Sequence, residues 1–172
     1  MRGIPVSSVV QATLLLASLF ALGSPRDVGA QPSSRPWVLE LGEAVGGGPP
    51  DIDVLANGTV VFRIETKAAL GGDLEGTLAQ RITQVFDGAD EDGLLPISTL
   101  WKIKTSAGVL EGYYSGTFIH LEDGSHEILQ SGRVLRVSKP YADLYQAEIF
   151  YLGTLDFGHS VELATLTIAA PH

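Results

Sequence analysis

Few side chains in this sequence have the type and spacing for chemistry. Its four histidines are His120, His126, His159 and His172, and the first two flank a turn that also carries Glu122 and Asp123. Imidazoles and carboxylates so grouped suit a zinc ion, provided they converge on one point. Asp123-Gly124 reads as a two-residue hairpin turn, so residues on the two flanking strands pair when their numbers sum to 247. That register sets His120 opposite Glu127 and His126 opposite Leu121. The two imidazoles then lie on opposite faces of the sheet, where they cannot share an ion. No third convergent ligand is visible, and no metal site is expected.

The same register pairs Tyr114 with Arg133, on the face that also carries Leu110, Gly112 and Phe118. That face is the more apolar and is expected inside. The other face pairs Glu111 with Arg136, a combination suited to solvent. A buried Arg133 needs a partner, because an unpaired buried charge is very costly. Two accounts stay open: a structural network of Arg133, Tyr114 and a carboxylate such as Glu148 or Glu162, or a cation that anchors a ligand. Elsewhere Gln80 and Gln84 alternate with Leu78, Ile82 and Phe86 along one strand face, Trp101 shares a face with Ile97 and Ile103, and Tyr145 and Tyr151 share one with Ile149. Aromatic walls with a few polar groups describe a small-molecule pocket, and equally an ordinary core. The candidate ligand-binding set is Trp101, Tyr114, Arg133, Tyr151, Gln80 and Gln84.

Other chemistries lack support. Asp87, Asp90, Glu91 and Asp92 crowd one loop, but their spacing departs from the helix-flanked calcium loop. No Gly-x-Ser-x-Gly elbow presents a serine. Gly46-Gly47-Gly48 runs into Pro49-Pro50 instead of a helix, so it cradles no phosphate. The chain has no cysteine, which removes thiol catalysis and cysteine-bound metals. No cofactor is expected.

The elements that must position these groups are strands. Alternating polarity predicts them near 37–42, 59–66, 74–86, 97–105, 109–122, 126–138, 144–153 and 160–168, separated by turns such as Ser106-Ala107-Gly108 and Asp123-Gly124. Asn57-Gly58-Thr59 matches a glycosylation sequon but reads better as a turn opening a strand. A helical turn is expected only after Pro140. The fold class is all-β, antiparallel. About eight long strands favour a closed barrel, which removes exposed edges; a two-sheet sandwich is the alternative.

The first residues have a different purpose. Arg2 precedes an apolar run from Val9 to Leu22, and Val28-Gly29-Ala30 presents small residues to a signal peptidase. This is a secretory signal and too short for a permanent membrane span. The expected organisation is a signal peptide at 1–30 cut near Ala30, an N-terminal strand and Gly/Pro linker at 31–56, and a barrel domain at 57–172. The destination is secreted or periplasmic. The whole chain has 11 Lys and Arg against 20 Asp and Glu; removing Arg2, Arg26 and Asp27 leaves 9 against 19, a net charge of −10. With no basic cluster, nucleic acid is not an expected partner.

From Gly71 onward the chain resembles the allene oxide cyclase barrel-like group, calycin-like barrels of eight strands. The resemblance is carried by Gly71-Gly-Asp-Leu-Glu-Gly-Thr, by Leu110-Glu-Gly-Tyr-Tyr-Ser-Gly-Thr-Phe and by a glycine at the start of each long strand. It implies the barrel and leaves the activity open; no cyclase catalytic residue maps onto this sequence. Three functions follow as expectations: an exported, non-catalytic barrel that binds a small apolar ligand or has a structural envelope role; a cyclase or isomerase acting on an apolar substrate inside the barrel; and a surface module that binds a protein through its acidic loops.

Overall fold

The computed structural model describes residues 35–87, 94–156 and 161–169, without the side chains of 45, 156 and 161–163. The expected signal at 1–30, the acidic loop at 88–93, His159, His172 and the Glu162 side chain lie outside the described residues.

Among the described residues nine strands form the fold: β1 Trp37–Gly46, β2 Asp51–Val54, β3 Val60–Gly72, β4 Gly76–Phe86, β5 Leu94–Lys104, β6 Val109–His120, β7 His126–Val137, β8 Glu148–Asp156 and β9 Val161–Ala169. From β3 to β9 each strand pairs antiparallel with the next, and β1 bridges β9 and β3. The result is a closed, eight-stranded antiparallel barrel with one extra strand, not a sandwich. The extra strand is β2. It pairs with Val60–Arg63 of β3, while β1 pairs with Thr66–Gly72 of the same strand. Both strands thus share one edge of β3, end to end. The N-terminal strand runs on to Gly46, into the stretch expected as linker, because Ala44, Val45 and Gly46 find partners on β3 after an irregularity at Leu41.

Alternation sorts the side chains. On β5, Ile97, Thr99, Trp101 and Ile103 are buried while Ser98, Leu100, Lys102 and Lys104 face out. Inward residues of the other barrel strands join them in one core that includes Leu39, Leu78, Leu110, Val134, Ile149 and Leu166. The helical turn expected after Pro140 is a 3₁₀ turn, Lys139–Leu144. It covers one end of the barrel: Tyr141 and Leu144 are buried, the Tyr141 ring meets Trp37 edge-on at 6.4 Å, and its hydroxyl lies 2.7 Å from Thr105 Oγ1. The Asn57-Gly58 turn also forms as expected. Gly58 takes φ of 87°, Asn57 Oδ1 accepts from the Thr59 amide, and β3 begins at Val60.

The β6–β7 hairpin is where the expected register fails. Leu121 and Ser125 close the turn, with Leu121 N donating to Ser125 O and Gly124 N donating to Leu121 O. Gly124 sits in the left-handed region at φ of 85°, and Asp123 Oδ1 accepts from the amide and hydroxyl of Ser125. The loop is therefore three residues long, a tight turn followed by a left-handed glycine. Pairs sum to 246, as in Tyr114↔Gly132 and His120↔His126. A one-residue slip moves every side chain of a strand to the other face. β6 faces as expected, but β7 is inverted, with Ile128, Gln130 and Val134 inside. Beyond Gly112 an irregularity at Leu135 restores the expected pairs Glu111↔Arg136 and Leu110↔Val137.

Candidate functional site: a polar and aromatic barrel interior

Three rings form a ladder across the interior. Trp101 on β5 stacks on Tyr114 of β6 at 6.3 Å and 18°, and Tyr114 stacks on Tyr151 of β8 at 5.1 Å and 27°. All three are at most 3% exposed. Glycines face two of them in the neighbouring strand, and Gly112 leaves room for the Trp101 indole. Trp101 lies opposite Gly112, and Tyr114 opposite Gly132. A methyl group on Gly112 would enter the indole ring, and one on Gly132 would meet the backbone of Tyr113 and Tyr114. Small barrels fill their interiors by such large–small alternation.

Polar side chains surround the ladder. Thr66 Oγ1 donates to Gln80 Oε1 at 2.9 Å, and Gln80 Nε2 donates to the Tyr114 hydroxyl at 2.5 Å. Gln130 Nε2 donates to Thr99 Oγ1 at 3.1 Å. Gln84 Nε2, Trp101 Nε1 and the Tyr151 hydroxyl are buried with no hydrogen-bond partner among the described residues. Buried polar atoms are almost always satisfied, and each one left alone costs about 1–3 kcal/mol.

Five of the six expected site residues, Trp101, Tyr114, Tyr151, Gln80 and Gln84, share this interior. Arg133 does not, and both accounts of a buried Arg133 fall with the register. It lies on the outer face opposite Tyr113, 53% exposed, with Glu148 at 3.9 Å. The three-residue loop turns it outward. Glu111 and Arg136 do pair on the surface as expected, at 3.8 Å. Sequence reasoning missed Thr66, Thr99 and Gln130. Thr66 and Thr99 carry a legible signal, because each alternates with apolar residues that share its face, as in Ile97-x-Thr99-x-Trp101.

The register also brings together the two histidines it was expected to separate. His120 Nδ1 and His126 Nε2 are 2.8 Å apart, and their ring centroids 4.6 Å. His126 is buried beside Phe118, whereas His120 is exposed. Burial, and then the neighbouring His120, lower the pKa of His126; the Leu155 backbone and the Asp123 carboxylate oppose them. Among the described residues no three His, Asp or Glu side chains are grouped as metal ligands.

The outer face carries two clefts, of about 510 and 280 Å³, on the β4–β5–β6 side of the barrel. Leu100, Lys102, Glu111 and Leu135 line the first; Thr83, Ser98 and Tyr113 line the second. Lys102 and Glu111 form an ion pair at 2.7 Å there. Among the described residues no helix is long and apolar enough to cross a membrane.

No family model, curated protein or solved structure matches the chain. Of the resemblance to the allene oxide cyclase group, the closed eight-stranded antiparallel barrel is what is shown.

Proposed function

We propose that the chain is an exported β-barrel that binds a small, largely apolar molecule in its interior, without transforming it. One observation carries the reading: three polar atoms, Gln84 Nε2, Trp101 Nε1 and the Tyr151 hydroxyl, are buried without partners among the described residues, in an interior walled by stacked rings. Two of them are N–H donors. The ligand they fit has a flat or aliphatic body and at least one hydrogen-bond acceptor, the usual division of labour in a small-molecule site. Export is supported by the sequence pattern of residues 1–30. Intact mass of the mature protein checks that part: a chain beginning near Gln31 agrees with it, and a chain that retains residues 1–22 contradicts it.

A second reading, a cyclase or isomerase in the same interior, is favoured by two buried tyrosine hydroxyls, on Tyr114 and Tyr151. Holding a reactive conformer supplies much of such an acceleration with few catalytic groups. One experiment addresses both. Protein purified from its source is extracted with organic solvent, and the extract is examined by mass spectrometry. A single small molecule at about one per chain supports binding. A substrate–isomer mixture that changes with incubation supports the second reading. An empty extract contradicts both.

A further inference from the structure

We infer that His120 and His126 form a two-imidazole chelate for a divalent transition-metal ion, Cu²⁺ above all, at the end of the barrel closed by the β6–β7 turn. The site is distinct from the aromatic ladder and does not rest on the ligand reading.

The spacing carries the argument. The facing nitrogens, His120 Nδ1 and His126 Nε2, are 2.8 Å apart. Metal–imidazole bonds are about 2.0–2.1 Å long, so two such ligands at a right angle place their nitrogens about 2.8–3.0 Å apart, and two at the tetrahedral angle about 3.3–3.4 Å apart. The separation, which is also that of the hydrogen bond the two rings make in the metal-free protein, is close to the right-angle value. Tetragonal nitrogen sites select Cu²⁺ or Ni²⁺, and Cu²⁺ heads the affinity order. The two residues are direct cross-strand partners at the end of the hairpin. The backbone therefore holds their Cα atoms in register across the hairpin.

The surroundings also fit. His120 is exposed, so an ion reaches the pair from solvent and keeps water in its remaining positions. The Asp123 carboxylate is near enough to act on His126 and adds negative charge beside the cation. In the metal-free protein one proton occupies the contact between the two nitrogens. Binding needs both lone pairs, so that proton moves through solvent to the other nitrogen of its own ring. Both rings then turn so that their lone pairs, aimed along the contact in the metal-free protein, converge on the ion.

The test titrates the full chain, freed of metal by a chelator, with Cu²⁺ alone. Isothermal titration calorimetry counts the sites, and electron paramagnetic resonance identifies the donors. One site per chain whose spectrum shows two imidazole nitrogens is expected. His120→Gln, at an exposed position that leaves the fold intact, is expected to weaken that site at least about tenfold, the lower end of what loss of even an outer-shell partner causes. His126→Gln is the second variant, read only after circular dichroism shows native strand content. Wild-type affinity in His120→Gln, or a spectrum without two imidazole nitrogens, overturns the inference, since His159, His172 or a chain terminus would then hold the copper.

Discussion

Tyr114 lies directly opposite Gly132, so closely that a side chain on that glycine would meet the backbone of Tyr113 and Tyr114. The same Tyr114 carries the middle ring of the stack from Trp101 to Tyr151. Gly132→Ala adds a methyl group that meets backbone atoms, which cannot rotate away. The expected loss is about 1–3 kcal/mol, in the range of other overpacked interiors. Chemical denaturation measures it, and an unchanged midpoint with an unchanged slope would contradict the close approach of the two strands at Gly132.

The corrected register separates two neighbours in their response to truncation. Tyr114→Ala removes a fully buried ring and is expected to destabilise by about 2–4 kcal/mol. Arg133→Ala removes an exposed side chain whose ion pair with Glu148 spans 3.9 Å; its effect is expected within about 0.5 kcal/mol of zero. Thermal melts of the two variants decide the matter. A large loss in Arg133→Ala would return that residue to the interior and restore the two-residue turn.

Stability should depend on pH through His126. Its pKa in the folded protein lies below the ordinary value of 6.5, from burial and from His120. The unfolded chain then binds the proton more readily than the folded one, so unfolding is favoured as protons become available. The contribution is complete above the ordinary value and is lost as pH falls below it toward the folded pKa. Melting temperatures of metal-free protein from pH 8 to pH 5 are expected to fall over that lower range, and to fall less in His126→Gln. A curve that is flat there, or one that rises, is incompatible with a neutral buried His126.

Tyr151→Phe tests the unpartnered hydroxyl. In empty protein the change removes a buried polar atom that bonds to nothing described, so stability is expected to hold or rise by up to about 1 kcal/mol. In protein carrying its ligand the same change should lower occupancy. A clear loss of stability in the empty protein would reveal a partner for that hydroxyl and remove one support of the binding site.

Much of the barrel was legible from alternation and turn residues. Period-two polarity found the eight barrel strands, and Asn57-Gly58 and Pro140 marked their turns correctly. β2 was hidden because Asp51-Ile-Asp-Val54 is four residues beside a Pro-Pro pair, and all four are exposed. The site was partly legible, since Gln80, Gln84, Trp101, Tyr114 and Tyr151 sit on faces that the local pattern assigns inward. Arg133, Gln130 and the histidine pair were misplaced for one reason. Asp-Gly is compatible with loops of two or three residues, and the choice between them depends on the left-handed Gly124 and the Asp123–Ser125 bonds, which local spacing does not specify. One residue of loop length therefore reassigned a whole strand face.

The interior binding site is tested most directly by the indole N–H resonance of Trp101 in a ¹H–¹⁵N spectrum. The chain has two tryptophans, and Trp37 packs on Tyr141 at the covered end, so it serves as an internal control. Spectra are compared for protein as purified from its source and for protein unfolded, stripped by extraction and refolded. The account predicts that the Trp101 N–H signal shifts between the two states while the Trp37 signal stays in place. Superimposable Trp101 signals would contradict it.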